Sequence, residues 1–254
     1  MSPLVKMQRS GPVVTLILNR PERHNSLVPG LLVDLLIALD DLRDDGAVRA
    51  VVVAAEGKTF STGGDVKAFF AAGPEVADYA TETVGLLNEV IVAMLRLPQP
   101  IVTAVHGMVT GGSIGLLLAS DVVLMAPEAT ITPWYSAVGF SPDGGWTALL
   151  PDVIGRHHTA RLLLANEAIT ADDAVAWGLA TEIAPPATIR ERAGTVAKSI
   201  ASMEPGSVAS TKTLLNRDHR AVAMALEAER REFVRQIATS EARRGMAAFL
   251  GRER

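Results

Sequence analysis

Three short apolar runs constrain this chain more than any other feature: Val13-Val14-Thr15-Leu16-Ile17-Leu18, Ala50-Val51-Val52-Val53-Ala54 and Ile101-Val102-Thr103-Ala104-Val105. Each is β-branched and almost continuously apolar, without the alternation of a strand that wets one face, so each reads as a strand covered on both sides. Between the first two, residues 31–42 carry leucines at helical spacing, and residues 75–97 form a longer helical stretch that stops before Pro98 and Pro100. Strand, helix and strand in repetition predict an α/β fold with a parallel sheet flanked by helices. Only 4% of the 254 residues are aromatic, so the core between these layers must be aliphatic. No apolar run reaches the ~20 residues of a membrane-spanning helix; the longest are broken by Gly107, Gly111, Gly112 and Asp121.

A glycine-rich turn and an apolar helix follow at 111–120, then two short strands at 121–125 and 129–132 around a turn at Pro127-Glu128. Beyond Pro142 the patterning is mostly helical, with turns at Gly155, Gly178, Pro185-Pro186 and Pro205-Gly206 and one short strand at 180–184. The expected organisation is an α/β core over residues 1–190 with a helical region over 191–254. Residues 1–14 read as a polar lead into the first strand. They carry neither the apolar core of a signal peptide nor the basic amphipathic pattern of a transit peptide, which makes a cytoplasmic location the expectation.

The absence of cysteine removes disulfides, thiolate nucleophiles and cysteine-bearing metal sites. Basic residues number 24 against 28 acidic ones, interspersed, which argues against a nucleic-acid footprint and suits a small or acyl-type partner. G-x-G-x-x-G is absent, and Gly57-Lys58-Thr59 lacks the upstream glycine of a phosphate-cradling loop. None of the five histidines forms a metal-binding spacing; His157-His158 reads as a solvated helix start, and no metal is expected.

Two glycine-rich turns follow strands: Phe60-Ser61-Thr62-Gly63-Gly64-Asp65-Val66 and Gly107-Met108-Val109-Thr110-Gly111-Gly112-Ser113-Ile114-Gly115. The first N–H groups of a helix have no partner within it, and glycine lets a ligand oxygen approach the backbone. One N–H from each turn would make a two-donor hole for a carbonyl oxygen that gains charge during reaction. Either turn alone would serve equally as a tight packing turn. Gly111-Gly112-Ser113-Ile114-Gly115 also fits the G-x-S-x-G elbow of serine hydrolases, with Asp143 and His219 following in the required order.

Taken together, Asn19-Arg20-Pro21-Glu22-Arg23-His24-Asn25-Ser26-Leu27, the two glycine turns with Val105-His106-Gly107, and Gly139-Phe140-Ser141-Pro142-Asp143-Gly144-Gly145 resemble the enoyl-CoA hydratase/isomerase (crotonase) family. The resemblance continues through residues 168–179 to Gly245-Met246-Ala247-Ala248-Phe249. It implies a crotonase-like spiral of ββα units with a helical C-terminal region. It also implies an acyl-CoA thioester as substrate, with coenzyme A arriving as part of that ester and no permanently bound cofactor. By register Gly64 and Gly112 are the oxyanion donors. Arg23, His24, Asp65, Val66, Lys67 and Phe249 fall on the CoA-contacting stretches, and Gly111, Gly115, Trp134 and Tyr135 on the acyl pocket.

Hydratases of this family use two glutamates, one on the helix after the second donor and one about twenty residues later. Here those positions read Gly115 and Tyr135. An acid appears eight residues further on, at Asp143, where isomerases, naphthoate synthases and 4-chlorobenzoyl-CoA dehalogenases of the family carry a functional aspartate. A single carboxylate beside an oxyanion hole suits double-bond isomerisation, in which one group removes a proton from one carbon and returns it to another. Asp143 before Gly144-Gly145-Trp146 would also suit a helix N-cap. A hydratase with rearranged acids, an aryl-CoA dehalogenase and a non-catalytic acyl-CoA binder are the competing readings. The arginines at 230, 231, 235, 243, 244, 252 and 254 alternate with Glu227, Glu229, Glu232, Glu241 and Glu253, which reads as a solvated, salt-bridged surface. By resemblance these helices assemble a homotrimer or a dimer of trimers, and Phe233 and Phe249 close the CoA pocket.

Overall fold

The computed structural model describes residues 3–215 and 218–251. Arg252, Glu253 and Arg254 of the C-terminal charge pattern lie outside the described residues. The main sheet contains six strands in the order β1-β2-β3-β4-β6-β9: β1 (Val5–Ser10), β2 (Val13–Leu18), β3 (Ala50–Ala55), β4 (Ile101–Val105), β6 (Val122–Met125) and β9 (Glu182–Ile183). All neighbours from β2 onward pair in parallel. Every residue of β3 and β4 is buried, and since successive side chains point to opposite faces, both faces of the sheet are covered. The polar lead is in fact a strand: β1 folds back on β2 through Gly11, whose φ of +60° suits the turn, and buries only Val5.

The smaller sheet joins β5 (Met108–Thr110), β7 (Thr130–Thr132) and β8 (Ile169–Thr170). The segment 121–132 is therefore not a hairpin: β6 pairs with β4 and β7 pairs with β5, both in parallel. The chain bends from one sheet to the other at the same level in each repeat. At Gly107 the bend admits only glycine, because φ is +61° and a Cβ would lie 2.2 Å from the Lys58 carbonyl oxygen. The segment after β3 follows the same path, Phe60 N–H donating to the His106 carbonyl (3.0 Å) and Ser61 N–H to that of Met108 (3.2 Å).

The helices are α1 (Pro29–Asp44), α2 (Val66–Ala71), α3 (Val76–Arg96), α4 (Ile114–Leu118), α5 (Tyr135–Val138), α6 (Leu150–Ile154), α7 (Arg156–Ala165), α8 (Ala171–Ala176), α9 (Ile189–Ala201), α10 (Pro205–Leu215), α11 (His219–Ile237) and α12 (Ser240–Phe249). Leu31, Leu32, Leu35, Leu39 and Leu42 form the buried stripe of α1, which packs on α3. The expected boundary at 190/191 falls inside α9, and that helix packs across β2, β3 and β4. From α10, Lys212 reaches into the core: it is 4% exposed, pairs with Asp121 (2.8 Å) and donates to the carbonyls of Met94 and Gln99. The long α11 lies along α3. Among the described residues no helix is long and apolar enough to cross a membrane, and no cluster of His, Asp and Glu could hold a metal ion.

Candidate active site

The two glycine turns lie side by side because the strands that precede them are paired. Ser61 bridges Val109 in parallel, and Thr110 N–H donates to the Ser61 carbonyl (3.1 Å). Gly63 then packs against Thr110 and Gly111 so closely that a Cβ would sit 2.5 Å from the Thr110 carbonyl oxygen. Gly64 bridges Leu27 in parallel through its neighbours: Leu27 N–H donates to the Gly63 carbonyl and Asp65 N–H to that of Leu27. The N–H of Gly64 itself is thereby turned away from Leu27. Gly112 is the second residue of a single 3₁₀ turn, Gly111–Ser113, so its N–H has no acceptor within that turn. Both glycines line one apolar cavity of about 60 Å³, with Leu27, Val84, Leu87, Val138, Phe140 and Phe233 forming much of its wall.

Asp143 enters the same cavity and is 6% exposed. Its carboxylate lies against the Cα of Gly112: a Cβ on that glycine would come within 2.8 Å of Oδ2 and 3.0 Å of Oδ1. The Tyr135 hydroxyl donates to Asp143 Oδ1 at 2.5 Å, a charge-assisted length. Burial pushes the Asp143 carboxyl up to about 7, the Tyr135 hydrogen bond opposes that rise, and the charge of Glu229 reinforces it. Burial and the neighbouring Asp143 together hold the Tyr135 phenol well above its ordinary value. The Tyr135 phenol thus keeps its proton near neutral pH and donates to Asp143.

An outer groove of about 520 Å³ joins the cavity at a neck formed by Thr62, Gly64, Thr110 and Trp134. It contains Arg23, His24, Asp65, Val66, Lys67 and Phe249, all the residues expected on the CoA-contacting stretches. Asp65 caps α2 by accepting from Ala68 N–H (3.2 Å) and is held by Arg20 and Arg23, each at 3.1 Å. Burial works against that charge, but the two guanidiniums and the cap lower its carboxyl below the ordinary value. Asn25 fixes the loop before it, donating to the carbonyls of Glu56 and Thr59 and accepting from Arg20 N–H. Lys67 is exposed and makes no ion pair among the described residues. Phe249 meets Trp134 edge to face at 6.1 Å, and Trp134 holds φ of +63°, rare for so large a side chain.

Four expectations need correction. Gly115 does not line the cavity; a Cβ there would lie 2.4 Å from Ile91 Cδ1 and 2.7 Å from the Gly144 carbonyl oxygen, so it is a packing glycine between α4, α3 and the Asp143 loop. Ser113 is fully buried and its hydroxyl donates to the carbonyls of Thr110 (2.7 Å) and Ser61 (3.1 Å), while Asp143 is engaged by Tyr135 rather than by a histidine. No serine triad is assembled. Asp143 is not a helix cap, because residues 144–149 form turns. Glu229 is not solvated: it is 5% exposed and accepts from the N–H groups of Gly145, Thr147 and Ala148 and the Thr147 hydroxyl. The neighbouring pairs Arg230–Glu227, Arg231–Glu227 and Arg235–Glu232 do form.

Glu229, Trp146 and Arg20 were not singled out from sequence. The partners of Glu229 lie more than eighty residues away, and nothing in its own segment separates it from the flanking charges. Phe233, expected beside the CoA pocket, lines the inner cavity instead, where it meets Phe69 and Phe140, the three rings lying pairwise 5.3–6.3 Å apart from three distant segments.

Comparison with known proteins agrees with this geometry. A 1,2-epoxyphenylacetyl-CoA isomerase of Escherichia coli is 29% identical over 244 residues, covering 94% of this chain and 92% of the relative. A 4-chlorobenzoyl coenzyme A dehalogenase of Arthrobacter is also 29% identical, over 78% of this chain and 72% of the relative. The crystal structure of an enoyl-CoA hydratase/isomerase from Mycobacterium paratuberculosis superposes with a TM-score of 0.90 at 28% identity, covering 98% of this chain and 99% of that one. The two sheets bent at a common level are thus those of the crotonase fold. The sequence profile of the enoyl-CoA hydratase/isomerase family matches residues 8–254, and the chain belongs to that family.

Proposed function

We propose that the protein isomerises the double bond of an enoyl-CoA thioester, with Asp143 as the single acid/base and the N–H groups of Gly64 and Gly112 as the oxyanion donors. The observation that carries this reading is the solitary carboxylate against Gly112, with no second acid at Gly115 or Tyr135. The thioester carbonyl oxygen accepts from the two N–H groups, and its charge grows as Asp143 removes a proton from the carbon chain. The donors therefore stabilise the dienolate more than the substrate. The C–H bond on one carbon breaks, the electron pair delocalises into the thioester, and Asp143, whose newly bound proton exchanges in part with solvent, delivers a proton to a carbon two bonds away. Nothing is gained or lost overall. The apolar wall keeps water from competing for the dienolate.

The coenzyme A portion runs through the neck at Trp134 into the outer groove. There Arg23 and Lys67 supply the local cations that its phosphates require, despite the net charge of −4, and His24 lines the same groove. A panel of 2-enoyl-, 3-enoyl-, dienoyl- and aryl-CoA esters in deuterated water, read by mass spectrometry, tests the assignment. Deuterium uptake without added mass of water is the expected result; stoichiometric water addition or loss of halide would replace isomerisation by hydration or dehalogenation. Asp143→Asn should abolish turnover and leave CoA-ester binding nearly intact. Full turnover in that variant refutes the role of Asp143.

A further inference from the structure

The loop from Asp143 to Ala148 is fastened on two sides. On one side Asp143 and Gly144 press on the 3₁₀ turn of the second donor; Gly144 has φ of +67°, and a Cβ on it would come within 2.5 Å of Gly112 Cα. In the same loop the fully buried Trp146 donates from Nε1 to the Gly111 carbonyl at 2.9 Å. The same carbonyl accepts from Ile114 N–H within the turn, and since a trans peptide points its C=O and its N–H in opposite directions, the two bonds that hold Gly111 C=O also aim the Gly112 N–H. On the other side the loop wraps Glu229 of α11: Oε2 accepts from Gly145 N–H (2.8 Å), and Oε1 from Thr147 N–H (2.6 Å), Thr147 Oγ1 (2.7 Å) and Ala148 N–H (2.9 Å).

We propose that Glu229 and Trp146 are positioning residues for the reaction: Glu229 folds the 143–148 loop around its carboxylate, and the loop in turn sets the Asp143 carboxylate and the Gly112 N–H relative to each other. The inference rests on Asp143 being the acid/base. It assigns work to α11, a helix from the C-terminal region whose side chain touches neither substrate nor reacting atoms. One buried carboxylate thereby fixes the two groups that must act in concert, one that takes the proton and one that receives the resulting charge. Its own charge also bears on Asp143. The titratable groups facing Asp143 are Tyr135 from α5, whose hydrogen bond favours the ionised carboxylate, and Glu229 from α11, whose charge disfavours it.

Glu229→Gln keeps the shape, removes the charge and turns an NH₂ group toward one of the loop donors. The expected result is a fall in kcat of about 10- to 100-fold, the scale of a reacting group displaced by up to about 1 Å. KM should be little changed, and the acid limb of the kcat/KM profile should move to lower pH. A folded variant with an unmoved limb, or one with a wild-type rate, overturns the proposal. Trp146→Phe leaves every Glu229 bond in place and keeps the test open if the first variant does not fold. It should lower kcat by about 10-fold or more, because the donor N–H loses its alignment, with the acid limb unmoved; full activity in Trp146→Phe overturns the proposal. The parent assignment fails separately: if Asp143→Asn turns over normally, the isomerase reading is wrong. If Asp143→Asn is inactive while Glu229→Gln keeps the wild-type limb and rate, only the brace is wrong.

Discussion

Tyr135→Phe removes the hydroxyl that donates to Asp143 Oδ1 and also lies 3.0 Å from the Asp143 backbone carbonyl. The phenol donates to Asp143 Oδ1 at 2.5 Å inside a site where both partners are buried, so solvent does not screen the interaction. A hydrogen bond to an ionised group contributes about 1.5–3 kcal/mol. That bond favours the carboxylate over the carboxylic acid, so its removal raises the Asp143 carboxyl from its value of about 7. With about 1.36 kcal/mol per pH unit, the rise should be between about 1 and 2 pH units. The assay is the pH dependence of kcat/KM on the isomerised CoA ester between pH 5.5 and 9.5. Because Asp143 must be ionised to accept a proton, activity falls below its pKa, and the acid limb should move upward in the variant. Phenylalanine fills almost the same space edge-on to Trp146, so folding should survive. A limb that stays in place, or moves down, refutes the view that Tyr135 holds Asp143 ionised; Glu229→Gln is expected to shift it in the opposite direction.

Asp143→Asn should stabilise the protein while inactivating it. A carboxyl whose folded value is raised binds its proton more tightly in the folded state, so its contribution to stability falls as pH rises from about 4 to about 7 and stays lost above that. Removing the charge should therefore recover up to about 4 kcal/mol at pH 8.5 and less at pH 5.5, read by urea unfolding; an equal effect at both pH values would contradict the burial argument. Gly115→Ala should destabilise by about 1–3 kcal/mol, since one of its contacts is a backbone carbonyl that cannot rotate away. Gly194→Ala in α9, where nothing lies within 4 Å, should stabilise by roughly 0.5–1 kcal/mol. Thermal unfolding of the two variants should move in opposite directions. Lys212→Ala leaves Asp121 unpaired below α10 and should cost about 3–5 kcal/mol in urea unfolding; a neutral result would mean that water replaces the ammonium there.

Sequence was most informative where a residue's fate is decided locally. The strands at 13–18, 50–54 and 101–105 and the α3 stop before Pro98 follow from apolar runs and from proline sterics, and the structure has them within a residue. The two glycine turns were legible because missing side chains and unsatisfied N–H groups are properties of the turn itself. What failed depends on distance along the chain. The β1 strand was hidden because an outermost strand buries little and reads as polar. Gly115 looked like a pocket residue by register, yet its environment is decided by Ile91 from α3 and by Gly144. Asp143 fits a local cap pattern, but the loop's N–H groups are taken by a carboxylate from α11, so no helix forms there and the aspartate is left to Tyr135. Glu229 could not be told from Glu227 by any pattern in residues 219–237, although one is buried and the other pairs with two arginines near the surface.

The outer strands of the main sheet carry a further consequence, for how copies of this chain can meet. One margin is β1, whose Lys6, Gln8 and Arg9 stand between its few apolar residues, and the other is β9, only two residues long. Charge along one margin and brevity at the other both discourage a neighbouring chain from adding a strand. Self-association by sheet extension, the route to open-ended fibres, is thereby discouraged.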